Sequence, residues 1–285
     1  MNGIDISRYQ KGINLALVPC DFVIVKASQG SSEYVYPTFK EQIEQAASLG
    51  KLLGVYHYAS QGGAIPEAEK FLRTVDKYIG KAILCLDWEK DENINFHNPQ
   101  YAIAWLKYVE QKTGIKPFLY MSKSVARQYA SIWDASFPFW CAQYANYQYT
   151  GYKGNPWTDD KGFGPWKNCV ILQYSSRGRL PGYNNDLDLD KAYITAEQWR
   201  EYAKGQAPTQ DVVSGTFPTI RKGDRNDYVR HWQMFLNLNG YSCGSTDGIF
   251  GPKTEAAVKK WQKDHGLIPD GIIGPKTWAS LPMMS

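Results

Sequence analysis

A chain of 285 residues with 43% hydrophobic side chains is long enough for one large domain and one small one, each burying its own core. Its formal charge of +4, with no run of Lys and Arg, is too small for a nucleic-acid footprint and fits at most a mild attraction to an anionic surface. Met1 leads within two residues into the apolar Gly3-Ile4-Asp5-Ile6, leaving no room for a secretory signal, and no apolar run approaches the roughly 18 residues of a membrane span. The expectation is a protein made in the cytoplasm, without membrane insertion.

From the N-terminus, short apolar runs alternate with longer segments of helical period, the pattern of parallel strands covered by helices. Strands are predicted at Gly3–Ile6, Phe22–Ala27, Leu52–Tyr58, Ala82–Trp88, Phe118–Met121, Phe139–Ala142, Val170–Ser175 and Asp186–Leu189. Helices are predicted at Tyr36–Gly50, Ile65–Ile79, Pro99–Gly114 and Ser124–Ile132, with Gly50 and Gly114 placed as C-caps. Eight strands fit a closed α/β barrel, irregular at its end because the last three strands lack intervening helices. The stretch Ala145–Lys167, rich in Tyr, Gly, Asn, Pro and Trp, has no period and reads as a long loop of the kind that borders an active site.

A last amphipathic helix near Thr195–Lys204 closes a domain spanning 1–205, and the breaker-rich 206–216 reads as a linker. Beyond it, in 217–285, Asp247-Gly248-Ile249-Phe250-Gly251-Pro252-Lys253-Thr254 recurs as Asp270-Gly271-Ile272-Ile273-Gly274-Pro275-Lys276-Thr277, the mark of a repeated structural unit. Each copy makes an Asp-Gly turn and opens a helix with Pro. Apolar stripes at Val229, Trp232, Phe235 and Leu236, and at Ala256, Ala257, Val258 and Trp261, predict a compact all-α domain of three helices.

Cys20, Cys85, Cys141, Cys169 and Cys243 are odd in number and widely spaced, and read as reduced core residues. The four histidines form no zinc spacing, and neither a nucleophile elbow nor a phosphate-cradling glycine loop is present, so neither a metal nor a cofactor is expected. Ten Trp and twenty Tyr suit a protein that grips sugar rings, although a barrel core uses aromatics equally well.

The chemistry concentrates in Ala82-Ile83-Leu84-Cys85-Leu86-Asp87-Trp88-Glu89, an apolar strand that stops in two carboxylates. Positions i and i+2 of a strand point to one side, so Asp87 and Glu89 project together at the C-terminal end, where barrel enzymes keep their active sites. Two carboxylates held close in partly apolar surroundings cannot easily both ionise, and one becomes a general acid. That is what glycoside hydrolysis requires, although a strand-end acid is often only a solvated cap. Asp5 ends another short strand on the same face, and Asp188 is a fourth acid at a late strand end. The alternation Asp186, Asp188, Asp190 would equally suit an exposed edge or a cation site.

These residues carry a resemblance. The segment from about Asn2 to Lys204 resembles family 25 glycoside hydrolases, the N-acetylmuramidase lysozymes common among phage endolysins. It does so through Gly3-Ile4-Asp5-Ile6-Ser7, Val25-Lys26-Ala27-Ser28-Gln29-Gly30, Gly54-Val55-Tyr56-His57-Tyr58, Leu86-Asp87-Trp88-Glu89, Trp140-Cys141-Ala142-Gln143-Tyr144, Leu172-Gln173-Tyr174 and Leu187-Asp188-Leu189-Asp190. The resemblance implies that Glu89 is general acid and then base, that Asp87 is its partner and orients the substrate's 2-acetamido group, and that Asp5 and Asp188 support them. It further implies that Lys26, Tyr56, Tyr58, Trp140, Gln173 and Tyr174 line the groove; for Tyr56 and Tyr58, core packing explains the residues equally well.

The part from about Phe217 to Leu281 is similar to a small helical peptidoglycan-binding domain, which also shares the Ile220-Arg221-Lys222-Gly223-Asp224 opening. Together the two resemblances imply a metal-free enzyme that cuts the β-1,4 bond from N-acetylmuramic acid to N-acetylglucosamine in peptidoglycan, with retention, and reaches the wall after release from the cell. The alternatives are an inactive wall-binding protein and a glycosidase of chitin-like polymers.

Overall fold

The structure, a computed structural model, describes residues 1–31, 37–206, 219–274, 277, 278 and 280. The chain divides into two compact units, Met1–Val212 and Val213–Ser285. The linker expected at 206–216 lies outside the described residues except for Gln206.

In the first unit eight strands close into a barrel in chain order: β1 (Asn2–Ile6), β2 (Phe22–Gln29), β3 (Leu52–Tyr58), β4 (Ala82–Asp87), β5 (Phe118–Ser122), β6 (Phe139–Ala142), β7 (Ile171–Leu180) and β8 (Tyr183–Ala192). Neighbours from β1 to β7 are parallel, and β8 runs antiparallel to both β7 and β1. The reversal follows from chain length: only Pro181 and Gly182 separate β7 from β8, and so short a connection can join only antiparallel strands. β7 and β8 are also longer than expected. β8 meets β1 only from Asp188 to Lys191, so its first half runs past the end of β1 as a hairpin with β7.

Helices α1 (Pro37–Ser48), α2 (Ala64–Val75), α3 (Pro99–Thr113) and α4 (Lys123–Gln128) cover the barrel, and α5 (Ala196–Ala203) follows β8. Tyr36, the expected start of α1, lies outside the described residues. Their ends follow local chemistry. Pro99 opens α3 and Gly114 closes it in the left-handed conformation at φ 72°, while Thr195 and Gln198 form a reciprocal capping box at α5. α4 stops short of the expected Ile132, where the chain turns so that the Trp133 indole N–H reaches the Val125 carbonyl at 3.4 Å.

Strand alternation makes two cores. Val23, Val25, Val55, Leu84 and Leu86 face outward against Phe39, Ile43, Phe71, Trp105 and Val109 of the helices. Phe22, Ile24, Ile83, Cys85, Phe118 and Trp140 fill the barrel, each large side chain contributing about 1.5–3 kcal/mol by burial. Trp199 of α5 plugs the end where the parallel strands begin, its ring 4.5 Å from Phe22 and its N–H on the Leu53 carbonyl at 2.9 Å. The opposite end stays open to chemistry. All five cysteines are free thiols.

The second unit packs α6 (Asp227–Leu238) and α7 (Pro252–Asp264) around Trp232, Phe250, Val258, Trp261 and Trp278. Of the third expected helix, Thr277 and Trp278 are helical, and most of the remainder lies outside the described residues. The octapeptide repeat has a structural reason. Gln233 on α6 bonds Asp247, the Ile249 carbonyl, Thr254 and the Gly248 N–H, and Gln262 on α7 makes the same four bonds to Asp270, Ile272, Thr277 and Gly271. Each helix therefore locks the turn that follows it.

Candidate active site

Because β1 to β7 run parallel, their C-terminal ends share one rim of the barrel. At that rim the Asp87 carbonyl accepts the Ala59 N–H at 3.0 Å, and Trp88 N–H still bonds the Tyr120 carbonyl at 2.9 Å. The chain is thus held for one residue past β4. Trp88 turns outward against Phe96 and Tyr101, and Asp87 and Glu89 project over the barrel interior.

Burial dominates the electrostatics here. Desolvation, then the Glu89 charge, raises the Asp87 pKa well above the usual carboxylate range, with Lys26 opposing. Desolvation, then Asp91, raises that of Glu89, against a weak hydrogen bond from the Tyr120 hydroxyl at 3.5 Å and the Lys26 charge. The sequence predicts one raised acid, and both are raised. Lys26 stands between the groups it would serve: its ammonium lies 4.3 Å from the centre of the Tyr58 ring and donates to Gln29 Oε1 at 2.8 Å.

Asp5 and Asp188 are brought to the same place, paired directly across β1 and β8. Asp5 is buried and Asp188 half-buried, and both have raised pKa values, Asp5 by desolvation and then Asp190, Asp188 by desolvation and then Asp5. Asp186, the outermost of the alternating acids, forms ion pairs with Arg179 and, at 3.7 Å, Arg177 on the other arm of the hairpin. Among the described residues no three His, Cys, Asp or Glu side chains are arranged to hold a metal ion.

Gln173 sits at the centre of the site. Its amide N–H donates to Asp5 Oδ2 at 2.7 Å, and its oxygen accepts from the hydroxyls of Tyr120, at 2.9 Å, and Tyr144. Tyr56 faces Asp5, Asp87 and Asp188, whose charges add to burial in raising its phenol pKa. The Tyr58 hydroxyl donates to the Asp91 carbonyl at 2.5 Å and so clamps the loop after Glu89. Trp140 is only 2% exposed and its indole N–H points to Asp190 at 2.8 Å, which makes it floor rather than wall.

Tyr174 is the one expected groove residue that is not brought to the carboxylates. One position on from Gln173, it faces the outer side of β7, in contact with the outer core. There it lines a separate cavity of about 350 Å³ with Asn146, Tyr149, Lys153 and Trp157, and its hydroxyl accepts the Lys153 N–H at 3.1 Å.

The sequence analysis gave no role in the site to Tyr120 or Glu92, and none to Gln29, Tyr144 or Asp190 beyond their places in the quoted segments. Tyr120 could have been found, because it pairs with Asp87 at the end of the adjacent strand. Glu92 carries no such signal: Gln29 Nε2 donates to Glu92 Oε2 at 2.5 Å, and Glu92, at φ 56°, is held in the left-handed region while its carbonyl accepts from Ser60. A second acid–base row, Ser28, His57 and Glu67, joins Oγ to Nδ1 at 2.8 Å and Nε2 to Oε2 at 2.9 Å. All three are 0% exposed, so no substrate reaches them, and the row ties β2 and β3 to α2.

The geometry agrees with what the chain is similar to. The sequence model of "Glycosyl hydrolases family 25" matches residues 4–183. The chain belongs to glycosyl hydrolase family 25. It is a glycoside hydrolase of this lysozyme family, and a second sequence model, "Putative peptidoglycan binding domain", matches residues 225–281. An autolytic lysozyme of Clostridium acetobutylicum is 26% identical to the family 25 chain over 275 residues, covering 94% of it and 74% of the relative. Among solved structures, a lysozyme from Streptomyces coelicolor superposes with a TM-score of 0.59 at 19% identity, covering 73% of this chain and 98% of that one. The catalytic domain of an endolysin from a Listeria monocytogenes bacteriophage gives 0.57 at 22% identity, covering 72% and 97%. At these identities the two structures speak to the fold alone.

Proposed function

We propose that the enzyme is an N-acetylmuramidase that hydrolyses the β-1,4 bond between N-acetylmuramic acid and N-acetylglucosamine in peptidoglycan, with retention of configuration. The observation that carries the chemistry is the pair Asp87 and Glu89, side by side at the mouth of the barrel in surroundings that favour their protonated forms. Glu89, the less buried of the two and the one touched by the Tyr120 hydroxyl, protonates the leaving oxygen and then, as carboxylate, activates water. Asp87, deeper and opposite Lys26, orients the 2-acetamido group of the bound sugar, and Asp5 and Asp188 support the pair from β1 and β8.

Two further observations support the wall as substrate: the peptidoglycan-binding match in the second unit and a relative that is an autolytic lysozyme. A family 25 match followed by a peptidoglycan-binding match in one chain fits an endolysin-type role. The test is release of reducing ends from purified Gram-positive wall, with free amino groups followed in parallel. Wild type is expected to release reducing ends and no amines, and Glu89→Gln to lower that rate by about 10²–10⁴-fold. Amine release, or a Glu89→Gln rate equal to wild type, would sink the reading.

A further inference from the structure

In the loop between β6 and β7, residues 149–159 have no part in the proposed chemistry, yet they are braced at three points. Thr150 runs beside β7, its carbonyl accepting the Arg179 N–H at 2.8 Å and its N–H donating to the Arg177 carbonyl at 3.3 Å. The Lys153 N–H is fixed on the Tyr174 hydroxyl at 3.1 Å. Asp159 is gripped by the buried Lys123 ammonium at 2.7 Å and by the Gln143 amide at 2.8 Å, and Gln143 Oε1 also accepts from the Thr158 hydroxyl at 2.6 Å. What this stretch presents to solvent is therefore set in advance, and a ligand would not have to order it.

It presents aromatic rings. Trp157 is 52% exposed and Tyr149 58%, so both spread apolar surface into water. The Tyr149 ring is itself held in place, with the guanidinium carbons of Arg177 and Arg179 each 4.1 Å from its centre and both arginines paired with Asp186. Leaving large rings exposed on a rigid segment around a concavity is unfavourable unless something covers them.

The concavity is the cavity of about 350 Å³ beside Tyr174. Its edge combines the two rings with the side-chain amides of Asn146, Gln148 and Asn155 and the ammonium of Lys153, and no acid lines it. Among the described residues, the amides of Gln148 and Asn155 and the Trp157 indole N–H bond no protein group, and the Lys153 ammonium has no carboxylate partner. Flat rings accept the C–H face of a pyranose, amides answer hydroxyl and acetamido groups, and a single ammonium selects a carboxylate. An acidic peptide would call for more cations, and a lipid chain for fewer amides. The volume lies at the small end of the about 300–1,000 Å³ usual for ligand sites, which suits one substituted ring.

We propose that this cavity is an accessory glycan site, distinct from the catalytic cleft, that takes one N-acetylated sugar ring bearing a carboxylate, as N-acetylmuramic acid does. Its position suits a strand other than the one being cut. Gln173 reaches Asp5 inside the barrel mouth, whereas Tyr174, the next residue, faces the outer side of β7, where the cavity lies. An insoluble wall presents many strands at once, so a second contact on the barrel keeps the cleft close to fresh substrate between cuts. The choice of sugar rests on the wall-glycan reading above.

Protein NMR of the full chain tests it, with the peptide-free disaccharide N-acetylglucosaminyl-N-acetylmuramic acid as probe, which lacks the bond the enzyme is proposed to cut. The Trp157 indole N–H signal is identified by its loss in Trp157→Phe. Titration is expected to shift that signal saturably, and Lys153→Gln to weaken the affinity read there about two- to fivefold. Affinity for diacetylchitobiose, which has no carboxylate, should be the same with and without Lys153→Gln. A Trp157 signal that stays still, one that moves equally with maltose, or a Lys153→Gln affinity for the acidic disaccharide equal to wild type would overturn the proposal. The signal is read without hydrolysis, so the two readings fail separately. A saturable, Lys153-dependent shift without reducing-end release from wall keeps the site and sinks the muramidase; release without a shift does the reverse.

Discussion

Asp5, Asp87, Glu89, Asp188 and Asp190 converge at the mouth of one barrel, and burial raises the pKa of every one. A carboxyl whose pKa is higher folded than unfolded binds more protons in the native state, so its contribution to stability is fully present below the unfolded value of about 4 and is lost as pH rises through the folded value. At neutral pH the site is therefore held together at a cost to the fold. Asp188, for which no hydrogen-bond donor offsets burial among the causes of its shift, tests this most directly. Asp188→Asn is expected to raise the neutral-pH melting temperature by about 2–4 °C for each kcal/mol of relieved repulsion, and the gain should vanish near pH 4 as the wild-type acids become protonated. Thermal melts of both proteins at the two pH values decide it; equal melting temperatures at neutral pH would show that the cluster is not strained. The variant should also lose wall-hydrolysing activity, since stability and function draw on the same carboxylates.

At the level of elements, the hairpin β7–β8 carries part of the site, because Gln173 lies on one arm and Asp188 and Asp190 on the other. Its turn depends on Gly182, which has φ 85° and lies so close to the Leu17 backbone that a Cβ would sit 2.5 Å from the Leu17 carbonyl oxygen. Gly182→Ala meets both a disfavoured backbone region and backbone atoms that cannot step aside, and should destabilise the barrel by about 1–3 kcal/mol in urea unfolding; an unchanged midpoint would refute the close approach. This hairpin is also where the sequence was least legible. The strands up to β6 are buried on both faces and read as unbroken apolar runs, and the parallel sheet they form puts the strand-end acids Asp5, Asp87 and Glu89 on one rim. Beyond the rim, Ser176, Arg177, Arg179, Asn184 and Asn185 are polar and at least partly exposed, and leave no apolar alternation to mark a strand. Tyr174 lies away from the carboxylates for a related reason: a motif fixes a residue's position in the chain but not the face of the strand it occupies. Tyr120, Tyr144 and Asp190 act through register and hydrogen bonding, which appear only once the strands are paired.

Over the whole molecule, the glycosyl hydrolase match and the peptidoglycan-binding match fall in different units. Among the described residues, the barrel's two cores are built from Ile4 to Ala203 and their immediate neighbours, and the second unit's core from Ile220 to Trp278. If the second unit acts by holding the enzyme on insoluble wall, it raises the local concentration of glycan around the barrel without entering the reaction, and its benefit should depend on the substrate being a surface. A chain ending at Gln206 is then expected to keep the wild-type rate on soluble glycan fragments while losing about 10-fold or more on dilute suspended wall. Excess wall should narrow that gap, because a saturated enzyme no longer needs to be held. Equal losses on soluble and insoluble substrate would mean instead that the barrel needs the second unit for its own active geometry, and the division of labour would fall.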